Sequence, residues 1–171
     1  YCLNSGIIKL ESPVENGNVQ ILRVVGAGGT IGYRALFAEE PYQATAVIQQ
    51  DAEICLIRRD SILKLLSQDP SLAMKFIKKL SQELGNQEDR LTSMTSHTAA
   101  ERVAEALLFF KKNFPENNWT RREIAEWAGT TTETVIRILA DFEREGLIAQ
   151  EGRRIDILER TKLINKAALV Y

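Results

Sequence analysis

Near the start of one predicted helix, the chain groups side chains that can make specific polar and apolar contacts: Thr132, Glu133, Ile136 and Arg137. Glu133 and Arg137 are four residues apart, so a helix places them on one face, roughly one turn from each other. Carboxylate and guanidinium groups in this arrangement can hydrogen-bond to base edges in a nucleic-acid groove. The alternative is an ordinary i,i+4 ion pair on a solvated helix face.

Two short predicted helices between Trp119 and Gly146 position this cluster. Apolar residues recur at helical spacing in the first helix, Gly129 follows as its stop, and Thr130 and Thr131 are suited to capping the second. The second helix has an apolar stripe formed by Val135, Ile138, Leu139 and Phe142. The pattern predicts a helix-turn-helix, which presents the first residues of its second helix to the DNA major groove.

A predicted hairpin follows, formed by LIAQEG and RRIDILE, with its turn at Glu151-Gly152. A helix-turn-helix followed by such a hairpin is a winged helix. Arg153 and Arg154 lie beside the turn, where a wing can reach DNA phosphates.

Composition limits the other possibilities. The 171 residues carry a net charge of −1, which disfavours a strongly basic, non-specific nucleic-acid coat. No apolar run approaches the roughly 18 residues of a membrane span, and the two cysteines are too few for a disulfide framework. We therefore predict a cytoplasmic protein without a membrane partner.

The first part of the chain has short strand-like runs separated by turn signals. Glu15-Asn16-Gly17-Asn18 predicts a hairpin turn between IIKLE and VQILRVV, and QATAVIQ and AEICLIR predict two more strands. The glycine cluster GAGGTIG does not contain GxGxxG and precedes no long helix, so tight turns are favoured over dinucleotide binding. The chain begins with Tyr1 inside a strand-like run, and we expect a segment to precede it.

Helical periodicity starts near Arg59. Asp60 or Ser61 is suited to capping a short helix, and Asp69-Pro70 opens a much longer one. Along the long helix, apolar residues and one glutamine form a heptad-like seam, which predicts pairing with a second copy: Phe76, Ile77, Leu80, Leu84, Gln87, Leu91 and Met94. The alternative is a core helix packing on its own chain. A polar break around His97 then predicts a hinge.

This order of elements resembles the CRP/FNR family of bacterial transcription regulators across essentially the whole chain. ERVAEALL, TRREIAEWAGTTTETVIRIL and EREGLI resemble the family's post-hinge helix, its helix-turn-helix and the entry to its wing. GTIGYRALF and the following QATAVI resemble the phosphate-binding turn and next strand of the effector domain. The resemblance implies a homodimer on a near-palindromic double-stranded DNA site, in contact with RNA polymerase.

The resemblance also implies residue roles. Arg137 would donate to guanine O6 and N7, and Glu133 would accept from a cytosine amino group. Thr132 replaces a base-reading arginine of some members, and Ile136 replaces a small residue and would contact a thymine methyl or simply pack. Contacts to DNA phosphates are implied for Arg121, Thr131 and Thr134.

In the effector domain the resemblance is incomplete. Members that bind cyclic nucleotides have a glutamate and an Arg-Ser pair where this chain has Tyr33 and Gln43-Ala44. The aligned pocket comprises Gly32, Tyr33, Arg34, Gln43, Ala44 and Thr45, and only Arg34 could replace the missing arginine. We therefore expect no cyclic AMP binding and identify no cofactor. Cys2 and Cys55 cannot form an iron–sulfur cluster, and His97 is the single histidine.

The strand pattern predicts an antiparallel barrel or sandwich. Together with the resemblance, the fold is expected to be α+β: a small antiparallel β-barrel of the jelly-roll, cyclic-nucleotide-binding-like type, a dimerisation helix and a winged helix-turn-helix. The predicted domains are a partial effector barrel (1–68), the helix and hinge (69–97) and the DNA-binding domain (98–171). With one histidine, no metal site, catalytic triad or cupin-type enzyme can be assembled. The predicted function is DNA-binding transcription regulation with an unknown effector. The alternative is a small-molecule or partner-binding module whose winged helix does not read DNA.

Overall fold

The computed structural model describes residues 1–14 and 17–167. Strands and helices follow in this order: β1 (Cys2–Pro13), β2 (Val19–Val25), α1 (Tyr33–Ala38), β3 (Thr45–Cys55), α2 (Arg59–Gln68) and α3 (Pro70–Ser96). The second half contains α4 (Ala99–Asn113), α5 (Arg121–Ala128), α6 (Thr132–Arg144), β4 (Ile148–Glu151), β5 (Arg154–Ile157) and α7 (Arg160–Lys166). The order of strands, long helix, helix-turn-helix and wing agrees with the sequence-based prediction.

Contacts divide the chain into two compact units. One comprises Tyr1–Pro13 and Ile21–Arg90, and the other comprises Val14–Gln20 and Leu91–Tyr171. The three domain ranges predicted from sequence stay a prediction. Residues 15 and 16 of the predicted hairpin turn lie outside the described residues, as do residues 168–171.

The first unit is built on a three-stranded sheet with the order β2-β1-β3, in which β1 and β3 are antiparallel. Leu3, Ile8 and Val25 form a buried cluster on it. The prediction of two strands in QATAVIQ and AEICLIR is wrong, because the single strand β3 includes TAVIQ of the first run and AEIC of the second. The pairing of β3 with β1 shifts in register next to Ser5 and Ile7, and β3 continues past these shifts without a turn.

Gly6 makes this irregular pairing possible. Its φ is +89°, and a Cβ added there would lie 2.3 Å from the Asp51 carbonyl oxygen. A side chain would therefore be excluded both by backbone strain and by direct overlap with β3.

The capping predictions had mixed outcomes. Neither Asp60 nor Ser61 caps α2, since that helix begins at Arg59 and its N-cap, Arg58, makes no side-chain capping bond. At α3 the prediction is confirmed: Asp69 Oδ1 accepts a hydrogen bond from the Ser71 backbone N–H at 2.9 Å. Hydrogen bonding by Ser71 lowers the pKa of the Asp69 carboxyl.

The core of the second unit surrounds α4, which packs against α5, α6 and α7. The largest side chains buried there are Phe142, Ile124, Leu139, Ile148, Leu163, Val103 and Val135. Phe110 stacks on Trp119 with ring centroids 4.0 Å apart, which adds an aromatic contact at the edge of this core.

The first testable prediction concerns the rotation of α6 about its own axis, which decides the face that is buried. Leu139 is 0% exposed and Ile136 is 55% exposed. Leu139→Ala should lower the free energy of unfolding by about 2–5 kcal/mol, because it removes core methyl groups and leaves a cavity. Ile136→Ala, the matched control on the same helix, should change it by less than about 0.5 kcal/mol. Urea denaturation measures both, and equal losses would contradict this rotation.

Candidate nucleic-acid interface

The first helix of the helix-turn-helix is held at both ends. Thr120 caps α5 and accepts a hydrogen bond from the Glu123 backbone N–H at 3.2 Å, while Glu123 Oε2 accepts one from the Thr120 backbone N–H at 2.9 Å. These reciprocal bonds form a capping box. At the other end Gly129 adopts φ +60°, and a Cβ there would lie 2.8 Å from Met94 Sδ. The left-handed backbone at the turn into α6 therefore favours glycine at this position.

The second helix begins at a threonine cap, as the sequence predicts. Thr131 is the N-cap of α6, and its Oγ1 accepts a hydrogen bond from the Thr134 backbone N–H at 3.2 Å. The Thr131 and Thr134 hydroxyls are also hydrogen-bonded to each other at 3.1 Å. Both threonines predicted to contact phosphates thus lie at the N-terminus of α6, where backbone N–H groups and the helix dipole favour anions.

Burial of one face of α6 leaves the predicted base-reading residues on the other. Val135, Ile138, Leu139 and Phe142 are buried, whereas Glu133, Ile136 and Arg137 are exposed and Thr132 is half-buried. No ion pair joins Glu133 to Arg137 in the part of the chain that the structure describes. Their charged groups are therefore available to an external partner, which disfavours the alternative of a solvated i,i+4 pair.

Ion pairs occupy several acidic residues of this region. Arg122 pairs with Glu126 at 2.7 Å, and Arg144 pairs with Asp141 at 2.5 Å. Each pair neutralises one carboxylate of α5 or α6 together with the arginine that binds it.

Three of the four arginines predicted to contact DNA make no ion pair among the described residues: Arg121, Arg137 and Arg153. The fourth differs. Arg154 Nε lies 2.6 Å from Asp156 Oδ2, and Lys111 Nζ lies 3.2 Å from Asp156 Oδ1. These hydrogen bonds hold the pKa of the Asp156 carboxyl below its usual value.

Several side chains that support the site have no local signal in the sequence. Gln20 Nε2 donates to the carbonyl oxygens of Glu126 and Trp127 at 2.5 and 3.2 Å. Arg102 donates to the carbonyl of Ala128 at 2.7 Å. These bonds satisfy carbonyls at the C-terminus of α5 that would otherwise lack partners. Gln20 is 106 residues from Glu126, so no sequence spacing could indicate the pair.

The polar break around His97 separates α3 from α4, as predicted. His97 Nδ1 lies 2.5 Å from Glu105 Oε1, and Ser93 Oγ donates to Glu105 Oε2 at 2.5 Å. Thr98 caps α4 through a second capping box with Glu101. His97 therefore has a local polar partner, and the described residues contain no group of His, Cys, Asp or Glu that could hold a metal ion.

The predicted effector residues are only partly brought together. Gly32 and Tyr33 line a cavity of about 370 Å³ together with Thr30, Tyr42 and Phe76. Tyr33 Oη accepts a hydrogen bond from Arg23 at 2.7 Å, and burial, with a hydrogen bond to Glu83, raises the pKa of Tyr33 to about 12.

The remaining four effector residues do not line that cavity: Arg34, Gln43, Ala44 and Thr45. Arg34 pairs with Glu40 at 3.1 Å, and Gln43 Nε2 donates to the same Glu40 oxygen at 3.4 Å, both at the exposed surface. The arginine that could replace the missing phosphate partner is thus engaged by a carboxylate.

The seam on α3 divides into exposed and engaged members. Ile77, Leu84 and Leu91 are 54%, 61% and 66% exposed, and Gln87 is exposed as well. Leu80, Phe76 and Met94 are half-buried. The Phe76 ring packs against Tyr33 and Phe37, with centroids 6.1 and 5.3 Å apart, so it contacts its own chain.

Comparison with known protein families gives one match before α3 ends and a second match after it. Residues 1–69 match the cyclic nucleotide-binding domain, and residues 101–166 match the Crp-like helix-turn-helix domain. In the described residues, no helix is both long and apolar enough to cross a membrane.

Two curated relatives are named as regulatory proteins. The transcriptional regulatory protein btr of Bordetella pertussis is 27% identical over 93% of this chain and 69% of its own length. The fumarate and nitrate reduction regulatory protein of Vibrio cholerae is 24% identical over 99% of this chain and 71% of its own length.

Two solved structures have a similar fold over almost the whole of this chain. A CRP/FNR-family regulator of Thermus thermophilus has a TM-score of 0.82 at 27% identity, over 97% of this chain and 86% of that one. FixK2 of Bradyrhizobium japonicum has a TM-score of 0.84 at 25% identity, over 99% of this chain and 87% of that one.

The different partners of the two wing arginines generate a prediction. Arg153→Ala should lower the slope of log affinity for duplex DNA against log salt concentration by about 0.9, the value for one lost phosphate contact. Arg154→Ala should lower it less, because Arg154 must leave Asp156 before it can reach a phosphate. Binding titrations at several salt concentrations measure both slopes, and a larger change for Arg154→Ala would refute the assignment.

Proposed function

The chain belongs to the CRP/FNR family of DNA-binding transcription regulators, and we propose that it acts as a homodimer on a near-palindromic operator. One observation carries the proposal: α6 presents an exposed face with Glu133 and Arg137 that no ion pair in the described chain neutralises. A guanidinium on this face can donate to guanine O6 and N7, and the carboxylate can accept from a cytosine amino group.

The exposed seam of α3 supports the homodimer. Ile77, Leu84 and Leu91 leave more than half of their surface in contact with solvent, on a helix of 27 residues. Pairing of two such helices would bury these side chains and set the distance between two α6 helices. Recognition helices in successive major grooves lie roughly 34 Å apart. An inverted repeat with half-sites about one helical turn apart therefore suits the proposed dimer.

We further propose that cyclic AMP is not the effector. Gln43 and Ala44 supply no cation for a cyclic phosphate, and Arg34 is paired with Glu40. An effector of other chemistry would act on the hinge near His97 and so on the positions of the two recognition helices. The regulator would work in the cytoplasm, in contact with RNA polymerase and without catalysing a reaction.

Selection of duplexes from a random DNA pool at defined salt tests the operator. The expected result is an inverted repeat. Arg137→Ala should cost about 1–3 kcal/mol of affinity for the selected site and relax sequence preference at one position of each half-site. Arg144→Ala is the matched control, because Arg144 lies at the other end of α6 and pairs with Asp141. Enrichment of no sequence, or equal effects of both variants, would refute base reading by α6.

Sedimentation equilibrium tests the dimer. Leu84→Glu should shift the protein from dimer to monomer, because two carboxylates would face each other in the paired seam. Asn86→Glu, an exposed position two residues further along the same helix, should leave the dimer intact. If both variants stay dimeric, the seam of α3 is not the dimer interface.

A further inference from the structure

A chain of hydrogen bonds joins three elements of the DNA-binding domain. Arg121, the first residue of α5, donates from Nη2 to Gln150 Oε1 on β4 at 2.6 Å. The Gln150 backbone N–H donates to Glu143 Oε1 on α6 at 2.8 Å, and Gln150 Nε2 donates to Glu143 Oε2 at 3.1 Å. One carboxylate thus binds both the backbone and the side chain of Gln150.

This arrangement determines which end of the Gln150 amide faces Arg121. The amide has an acceptor oxygen and a donor nitrogen. A carboxylate can only accept, so the NH₂ group faces Glu143 and the oxygen faces Arg121. The opposite orientation would place donors against donors on one side and acceptors against acceptors on the other. Glu143 therefore makes Gln150 an acceptor for the guanidinium.

The partner of Arg121 differs from those of neighbouring arginines. Arg122, Arg144 and Arg154 each bind a carboxylate, which compensates their charge. Arg121 binds a neutral amide and keeps its full charge. A guanidinium has five N–H donors, and the hydrogen bond to Gln150 uses one of them. The side chain is thus held in place while its charge and remaining donors can serve an anion.

We propose that Gln150 is a positioning residue that holds the Arg121 guanidinium for contact with a DNA phosphate, and that Glu143 orients Gln150 for this purpose. The inference rests on the proposed function and adds two residues to it. An arginine ordered before binding loses less rotamer freedom when it meets its phosphate, which strengthens the complex without a new contact. Because the bonds join α5, α6 and β4, the same network ties this phosphate contact to the recognition helix and the wing.

A double-mutant cycle on the selected operator tests the proposal. Arg121→Ala should weaken binding about tenfold and lower the salt slope by about 0.9. Gln150→Ala, which changes no charge, should weaken binding about threefold to tenfold when Arg121 is present and less than about twofold when Arg121 is alanine. Asn165→Ala, at an exposed position on α7, is the matched control, because it also changes no charge. Thermal unfolding of each variant verifies that the domain is folded.

The outcomes are distinct. An equal loss from Gln150→Ala with and without Arg121 would overturn the inference, because Gln150 would then act independently of that arginine. Wild-type affinity of Gln150→Ala would overturn it as well, while DNA binding by the unchanged protein would leave the proposed function intact. A wild-type protein that binds no DNA would overturn the proposed function and this inference together.

Discussion

Burial of the apolar stripe of α6 is the constraint on which the rest of the site depends. Val135 and Leu139 are fully buried against a core built around α4, so α6 cannot rotate without exposing them. This fixed rotation turns Glu133 and Arg137 outward. The same core holds α5 and α7 on α4, and two threonine caps and Gly129 define where the turn between α5 and α6 lies.

The charge that the helix-turn-helix and the wing present to a partner depends on which arginines are paired with carboxylates, and not on the net charge of the chain. The net charge of −1 disfavours binding to a polyanion. In the structure, carboxylates bind Arg122, Arg144 and Arg154, while Arg121, Arg137 and Arg153 make no ion pair within the described residues. A weakly acidic protein can therefore present local cationic groups to DNA, at positions set by its fold.

Much of the fold followed from local patterns. The helix-turn-helix, the wing and the Asp69 cap were predicted because periodicity and capping depend on residues within one or two turns of each other. The prediction of two strands within β3 was wrong. The chain stays extended past the register shifts in its pairing with β1, and only that pairing shows that the strand is continuous. Gln20, Gln150 and Glu143 were missed because their partners are distant or lie on other elements.

The sequence by itself determined the resemblance to a family, the order of elements and the identity of the residues that face DNA in the proposed complex. It could do so because a helix of known period has only one way to bury Val135, Ile138, Leu139 and Phe142 together. Only the tertiary structure decided which charges remain unpaired and how Arg121 is held. Ion pairs and hydrogen bonds between elements form where packing brings side chains within about 3 Å, and sequence spacing does not encode that proximity.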